Sequence, residues 1–208
     1  MTRALLALLL VAVPILSAGQ SDAPVVKPEI RVGDSWTYRS TGLLSTGTDE
    51  HETRVTFADD KLILAVSTRK SDGKEFDSSW TSEWNGISSY TGWIYRPPTG
   101  ILRFPLRVGD KYPINFEVLR PRVSTATFHA TGTATVAGWE WVEVPAGKFR
   151  AIKVEVEAVY RQLDAFSTHT RQYTFWYHPE VRRWVKLHAV SPAGESGEEL
   201  LAYKLNEG

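Results

Sequence analysis

Cysteine is absent from the 208-residue chain, and methionine occurs once. Without cysteine there can be no disulfide, thiolate metal site, iron–sulfur cluster, cysteine nucleophile or thioether-linked lipid at the N-terminus. An excess of one charge is also lacking, because 24 basic side chains balance 24 acidic ones. No overall field draws such a chain to a polyanion, so nucleic acid is not an expected partner. Helical patterning is missing as well: no window after the N-terminal apolar run carries a 3.6-residue stripe, with Trp80 to Ser89 the one ambiguous stretch. Neither a Gly-x-Ser-x-Gly elbow, a His-Glu-x-x-His zinc motif, a phosphate loop nor a dinucleotide fingerprint occurs. That lowers the prospect of an enzyme but does not remove it, since catalytic groups can converge from distant positions.

What is present begins with an address. Arg3 precedes an apolar run from Ala4 to Val13, Pro14 breaks it, and Ser17-Ala18-Gly19 supplies small residues at the positions that a signal peptidase reads. Ala4 to Leu16 is too short for a retained anchor, because a helix needs about 20 residues to cross a bilayer. Residues 1–19 are therefore expected to be a cleaved signal peptide, and Gly19 stands where a lipobox would need cysteine. The expected mature chain is unlipidated, periplasmic or secreted, not integral to a membrane, and has 23 basic and 24 acidic groups. Residues 20–30, with Pro24 and Pro28, read as a linker, and residues 31–208 as one domain.

Within that domain the dominant period is two. Ile152, Val154, Val156, Ala158 and Tyr160 share one parity, while Lys153, Glu155 and Glu157 take the other. The same alternation is read in Tyr112, Ile114, Phe116 and Val118; in Leu62, Leu64 and Val66; in Val185, Leu187 and Ala189; and in Leu201, Tyr203 and Leu205. From Val123 to Ala137 threonines alternate with Ala126, Phe128, Ala130, Ala134 and Val136, and the second set is expected to face inward. Pro145-Ala146-Gly147 is expected to form a three-residue loop that sets Val144 opposite Lys148, Val142 opposite Arg150 and Trp141 opposite Ala151. The expected fold is mostly β, with little helix: a strongly curved antiparallel sheet of about ten strands, forming a half-barrel or open barrel.

Arg31-Val32-Gly33-Asp34 and Arg107-Val108-Gly109-Asp110 echo one another, each leading to an aromatic residue two positions after the aspartate. A duplicated half-domain would explain the echo, and two similar turn-to-strand starts explain it with less, because nothing else aligns at that spacing. Phe104 to Asp110, Val144 to Ala151, and Phe175 to Val181 leading to Trp184-Val185-Lys186 together resemble a diffuse group of exported bacterial proteins without assigned activity. That group more remotely resembles the half-barrels of periplasmic lipoprotein carriers. The resemblance implies a compartment and an architecture and brings no catalytic residues. Arg182 stands where the group often has glycine.

Eight tryptophans, at 36, 80, 84, 93, 139, 141, 176 and 184, are the most unusual feature. Indole rings cover large apolar areas and still offer an N–H, so they serve cores and ligand sites alike. Trp80, Trp84, Trp93 and Tyr95 lie among small polar residues beside Pro97-Pro98, and with the inward Tyr160 they are the candidate ligand-binding residues. The five histidines have no metal-ligand spacing, and Asp59-Asp60 and Glu198-Glu199 read as solvated charges. Arg120, Arg122, Arg161, Arg171, Arg182 and Arg183 could form a basic patch, or a face of mixed sign with the glutamates nearby. No cofactor is expected. The expected function is non-enzymatic binding of an apolar or amphipathic, lipid-like ligand or an envelope protein partner. The alternatives are an interaction or structural module of the cell envelope and a hydrolase acting on envelope polymers.

Overall fold

Alternation along the chain becomes an inside and an outside. In a computed structural model, which describes residues 23–42, 47–121 and 124–207, the chain runs through β1 (Ser35–Thr41), β2 (Thr48–Ala58), β3 (Leu62–Arg69), β4 (Glu75–Thr81), β5 (Gly86–Ser88), β6 (Ile94–Arg96), β7 (Lys111–Leu119), β8 (Thr127–Val144), β9 (Gly147–Gln162), β10 (Thr168–His178), β11 (Arg183–Ser191) and β12 (Gly194–Lys204). Each strand pairs antiparallel with the next, and β12 returns to β1, so the curved sheet closes as an up-and-down barrel. The seam is thinnest at β5 and β6: β4 meets β5 only at Ser79 and Trp80, and β7 meets β6 only from Glu117 to Leu119. Twelve strands rather than about ten arise because β5 and β6 have three residues each, too few for a period to register. The signal peptide expected at residues 1–19 lies outside the described residues. Val25, in the expected linker, is buried and exchanges two backbone hydrogen bonds with Leu106.

Parity holds where one face is apolar and the other polar. Ile152, Val154, Val156, Ala158 and Tyr160 of β9 are buried, as are Ile114, Phe116 and Val118 of β7 and Ala130, Ala134 and Val136 of β8. The outward positions carry Lys111, Glu117, Thr131, Thr133, Glu155 and Glu157, which is the reverse of a barrel whose outside meets lipid.

Three sequence expectations are corrected. In β3 it is Ile63 and Ala65 that face inward while Leu64 is exposed; the strand is apolar on both parities, so alternation could not choose between them. In β12 the buried residues are Glu198 and Leu200 because the register slips by one residue opposite Thr37/Tyr38; beyond the slip Tyr203 stands opposite Trp36, though exposed, and Leu205 packs against the core as expected. At the β8–β9 hairpin Val144 pairs with Gly147, Val142 with Phe149, and Trp141 with Arg150. Gly147 has φ 136° and is already the first residue of β9, so the loop is only Pro145-Ala146 and Trp141 is 62% exposed.

The echoed turns adopt one geometry. Gly33 and Gly109 both have φ 93°, the left-handed region that glycine enters without a Cβ clash. Gly33 N–H donates to Val55, and Val55 N–H donates back to Asp34; Gly109 and Asp110 repeat both bonds with Val136. The aspartates then diverge. Asp34 is fully buried, and it accepts from Arg31 N–H (3.0 Å), Asn206 N–H (2.7 Å) and Arg182 Nη1 (3.2 Å). Arg182 has φ 61°, a conformation ordinary for the glycine that the resembling group often has here and strained for arginine, and the Asp34 ion pair holds it. Asp34→Ala should therefore lower unfolding stability by roughly 3 kcal/mol, since it strands three donors, while the exposed Asp110→Ala should cost less than about 1 kcal/mol. Equal losses in urea melts would show that the turn alone, and not the buried carboxylate, carries the stabilisation.

Candidate functional site

Large aromatic side chains fill one end of the barrel and line the other. A cavity of about 240 Å³ runs inside, with Trp80, Trp84, Arg183 and Trp184 at its floor, and Tyr95, Phe116, Phe128 and Tyr160 along its middle. The Ser89–Trp93 turn, Arg171, Ser191 and Ser196 surround its mouth. A single water needs roughly 10–15 Å³ by the same measure, so this space suits an apolar chain rather than one trapped solvent molecule.

All five sequence-selected residues, Trp80, Trp84, Trp93, Tyr95 and Tyr160, line this cavity. β4 carries Trp80, the turn after it carries Trp84, β6 and the turn before it bring Tyr95 and Trp93, and β9 carries Tyr160. Trp84 has φ 62°, and its indole N–H donates to the carbonyl of Arg182 at 2.7 Å, so two left-handed residues meet under the floor. Tyr160 and Tyr173 share a hydroxyl–hydroxyl hydrogen bond of 2.9 Å. Burial pushes the phenols of Tyr95 and Tyr160 well above their ordinary pKa, with Tyr173 adding to the rise at both, so they stay neutral donors.

Two charged residues at the site were missed. Arg183 is 2% exposed and Glu198 4%, although both read as surface charges in sequence. Five rings enclose the Arg183 guanidinium: Trp184 at 4.3 Å from its carbon, Trp84 at 4.7 Å, Trp80 at 5.1 Å, and Trp36 and Tyr38 at 5.2 Å. The rings hold one another edge to face, Trp84 meeting Trp36 and Trp80 at 5.3 Å each and Trp184 at 6.0 Å. Trp36 N–H donates to Val181 O, and Tyr38 O–H to Trp184 O, so neither aromatic leaves its polar atom unmet. The guanidinium does: Nε and Nη1 are buried without a hydrogen-bond partner.

Glu198 is served differently. Tyr90 O–H donates to Oε1 and Trp184 N–H to Oε2, both at 3.0 Å. His51 Nε2 lies 3.8 Å from Oε1, and its Nδ1 is 3.2 Å from Ser40 Oγ. Serine, histidine and carboxylate thus stand in sequence, yet the arrangement falls short of a nucleophile relay. The histidine–carboxylate separation exceeds hydrogen-bond range. Ser40 and His51 are buried behind Tyr90, whose ring stacks on His51 at 4.4 Å, and of this group only Tyr90 and Glu198 reach the cavity.

The expected six-arginine patch is divided by the fold. Arg120 and Arg171 both lie against Trp93, at 5.3 and 5.9 Å, and so place positive charge at the mouth. Arg161 is exposed on β9, Arg182 pairs with Asp34, Arg183 is internal, and Arg122 lies outside the described residues. Strand alternation and turn position send neighbouring arginines to different places. Among the described residues no three metal-ligating side chains cluster, and no helix is long and apolar enough to cross a membrane.

No protein-family model matches the chain, and no curated protein is similar to it in sequence. Among solved structures, a candidate lipoprotein from Parabacteroides distasonis ATCC 8503 superposes with a TM-score of 0.54 at 14% identity, covering 87% of this chain and 99% of its own. A candidate exported protein with a YmcC-like fold from Bacteroides fragilis NCTC 9343 gives 0.53 at 15% identity over the same shares. The chain shares their fold. The resemblance to exported bacterial β proteins is thus present in architecture, and neither neighbour is described as a lipoprotein carrier.

Burial pulls the His51 pKa below its ordinary value, Arg183 adds to this, and Glu198 and Asp49 oppose it. The folded protein then binds this proton more weakly than the unfolded chain does. The corresponding stability is complete above the ordinary histidine pKa of about 6.5 and is lost as pH falls through that value toward the lower folded one. His169 and His178 shift in the same direction, so the difference between wild type and His51→Gln isolates this residue. Urea melts across the acidic range should fall less steeply for His51→Gln, and superimposable slopes would contradict the assignment.

Proposed function

We propose that this protein is exported and holds an apolar or amphipathic ligand inside its barrel without transforming it. The observation that carries the reading is an aromatic-lined cavity with a polar mouth, set within one continuous cluster of buried apolar residues. Its exported neighbours in fold, together with the leader read at residues 1–19, favour the periplasm or the exterior, and the absence of cysteine favours an unlipidated chain. A lipid cargo is the form of this reading that the remote resemblance to lipoprotein carriers implies.

A purely structural or docking role explains the closed sheet equally well, but gives no reason for space to remain among Tyr95, Phe116, Phe128 and Tyr160. Gently purified mature protein extracted with organic solvent should release a lipid-like compound, and the stripped protein should take up the neutral fluorophore N-phenyl-1-naphthylamine. Ala189→Trp, which adds an indole to the cavity wall, should abolish uptake while leaving the far-ultraviolet dichroism unchanged. An empty extract together with no fluorophore uptake would move the reading to an interaction module.

A hydrolase has one specific observation in its favour, the Ser40–His51 contact. With Ser40 behind Tyr90, a fluorophosphonate probe should leave the protein unlabelled. Labelling that disappears in Ser40→Ala would replace the binding reading with a hydrolytic one.

A further inference from the structure

The ligand's chemistry can be narrowed from the charge inside the barrel, an argument that rests on the binding role proposed above. Burying a charge is costly unless it is paired and hydrogen-bonded, so each donor and acceptor near the floor can be traced to its partner. Glu198 has its partners in Tyr90, Trp184 and the nearby His51. Arg183 has no hydrogen-bonded or ion-paired partner: Glu198 acts on it only from beyond ion-pair distance among the described residues, and its Nε and Nη1 are buried with no acceptor. Tyr38 directs its hydroxyl to the carbonyl of Trp184 instead. Ring faces attract the cation but accept no strong hydrogen bond, so five aromatic side chains hold the guanidinium in place and leave its need for an acceptor unmet.

The same cage disfavours a cationic ligand. Clustered indoles commonly receive a quaternary amine, but here the space between the rings already holds a fixed cation. A second positive charge would meet Arg183 at the floor and Arg120 and Arg171 at the mouth, and among the described residues neither of those two has an acidic partner. An anion entering past Trp93 meets positive charge at both ends, and the one carboxylate of the lining, Glu198, is already held by Tyr90 and Trp184. Between them lie the apolar rings of Phe116 and Phe128 and the neutral phenols of Tyr95 and Tyr160.

We infer that the cavity takes an amphiphile with an anionic head of the carboxylate type, inserted head first so that the head reaches Arg183 and the apolar chain lies along the aromatic wall.

Three probes of equal chain length test this: decanoate, decanol and decyltrimethylammonium, each competing with N-phenyl-1-naphthylamine on the mature protein well above the carboxylate pKa. A charge-assisted hydrogen bond predicts that decanoate displaces the fluorophore at about one-tenth of the decanol concentration or less, with decyltrimethylammonium weakest. In Arg183→Met decanoate and decanol should converge to within about twofold with decanol unaffected, and Arg183→Lys should restore part of the preference. Arg171→Gln, which removes one positive charge at the mouth and a contact with Tyr160, should reduce the preference but leave decanoate ahead of decanol. Equal displacement by decanoate and decanol in the wild type overturns the inference and leaves the binding role standing, as does a preference that survives Arg183→Met. Should Arg183→Met fail to fold, Arg171→Gln decides: decanoate still ahead of decanol supports the floor position, and lost preference moves the head to the mouth and overturns it. Fluorophore uptake that none of the three probes reverses also overturns the anionic assignment. No fluorophore uptake at all is the separate failure of the binding role.

Discussion

Twelve strands make a ring wider than ordinary aliphatic side chains can fill. A barrel of about eight strands closes over its own side chains, whereas additional strands enlarge the interior roughly in proportion. The width here is answered unequally along the axis. At one end Trp36, Tyr38, Trp80, Trp84 and Trp184, all buried, pack around Arg183. Toward the other end smaller groups such as Val118 and Ala189 face the axis, and the rings stand back along the wall. The unusual tryptophan content and the cavity are therefore two results of the same closure.

The filled end also depends on backbone conformations that its residues do not prefer. Trp84 and Arg182 are both left-handed, and the indole of one donates to the carbonyl of the other. Buried Asp34 fixes Arg182 from beneath and gathers the segment near the C-terminus through Asn206. Immediately after Arg182 the chain enters β11 with Arg183 directed inside. The strained turn thus sets where the internal guanidinium sits, and the polar network below it governs the site above it.

Legibility in the sequence followed physical contrast. β7, β8 and β9 alternate apolar with charged or threonine residues, so their inward faces could be read directly. Leu62-Ile63-Leu64-Ala65-Val66 offers two apolar faces and only packing selects one, while the slip opposite Thr37/Tyr38 switches the inward parity partway along β12 through an event that leaves no mark in composition. The aromatic lining was legible because Trp80, Trp84, Trp93 and Tyr95 crowd into one short stretch. Arg183 and Glu198 were not, since a charged residue in an alternating strand is ordinarily solvated, and only the closed ring brings five aromatic rings around one and two hydroxyl or indole donors to the other.

The matched turns at Gly33 and Gly109 precede β1 and β7, which lie six strands apart and run in the same direction around the ring. A half rotation about the barrel axis therefore carries one onto the other. The match stops at the side chains: Asp34 anchors Arg182 and Asn206, while Asp110 remains in solvent. Only one of the two turns therefore fixes the backbone that delivers Arg183 to the filled end.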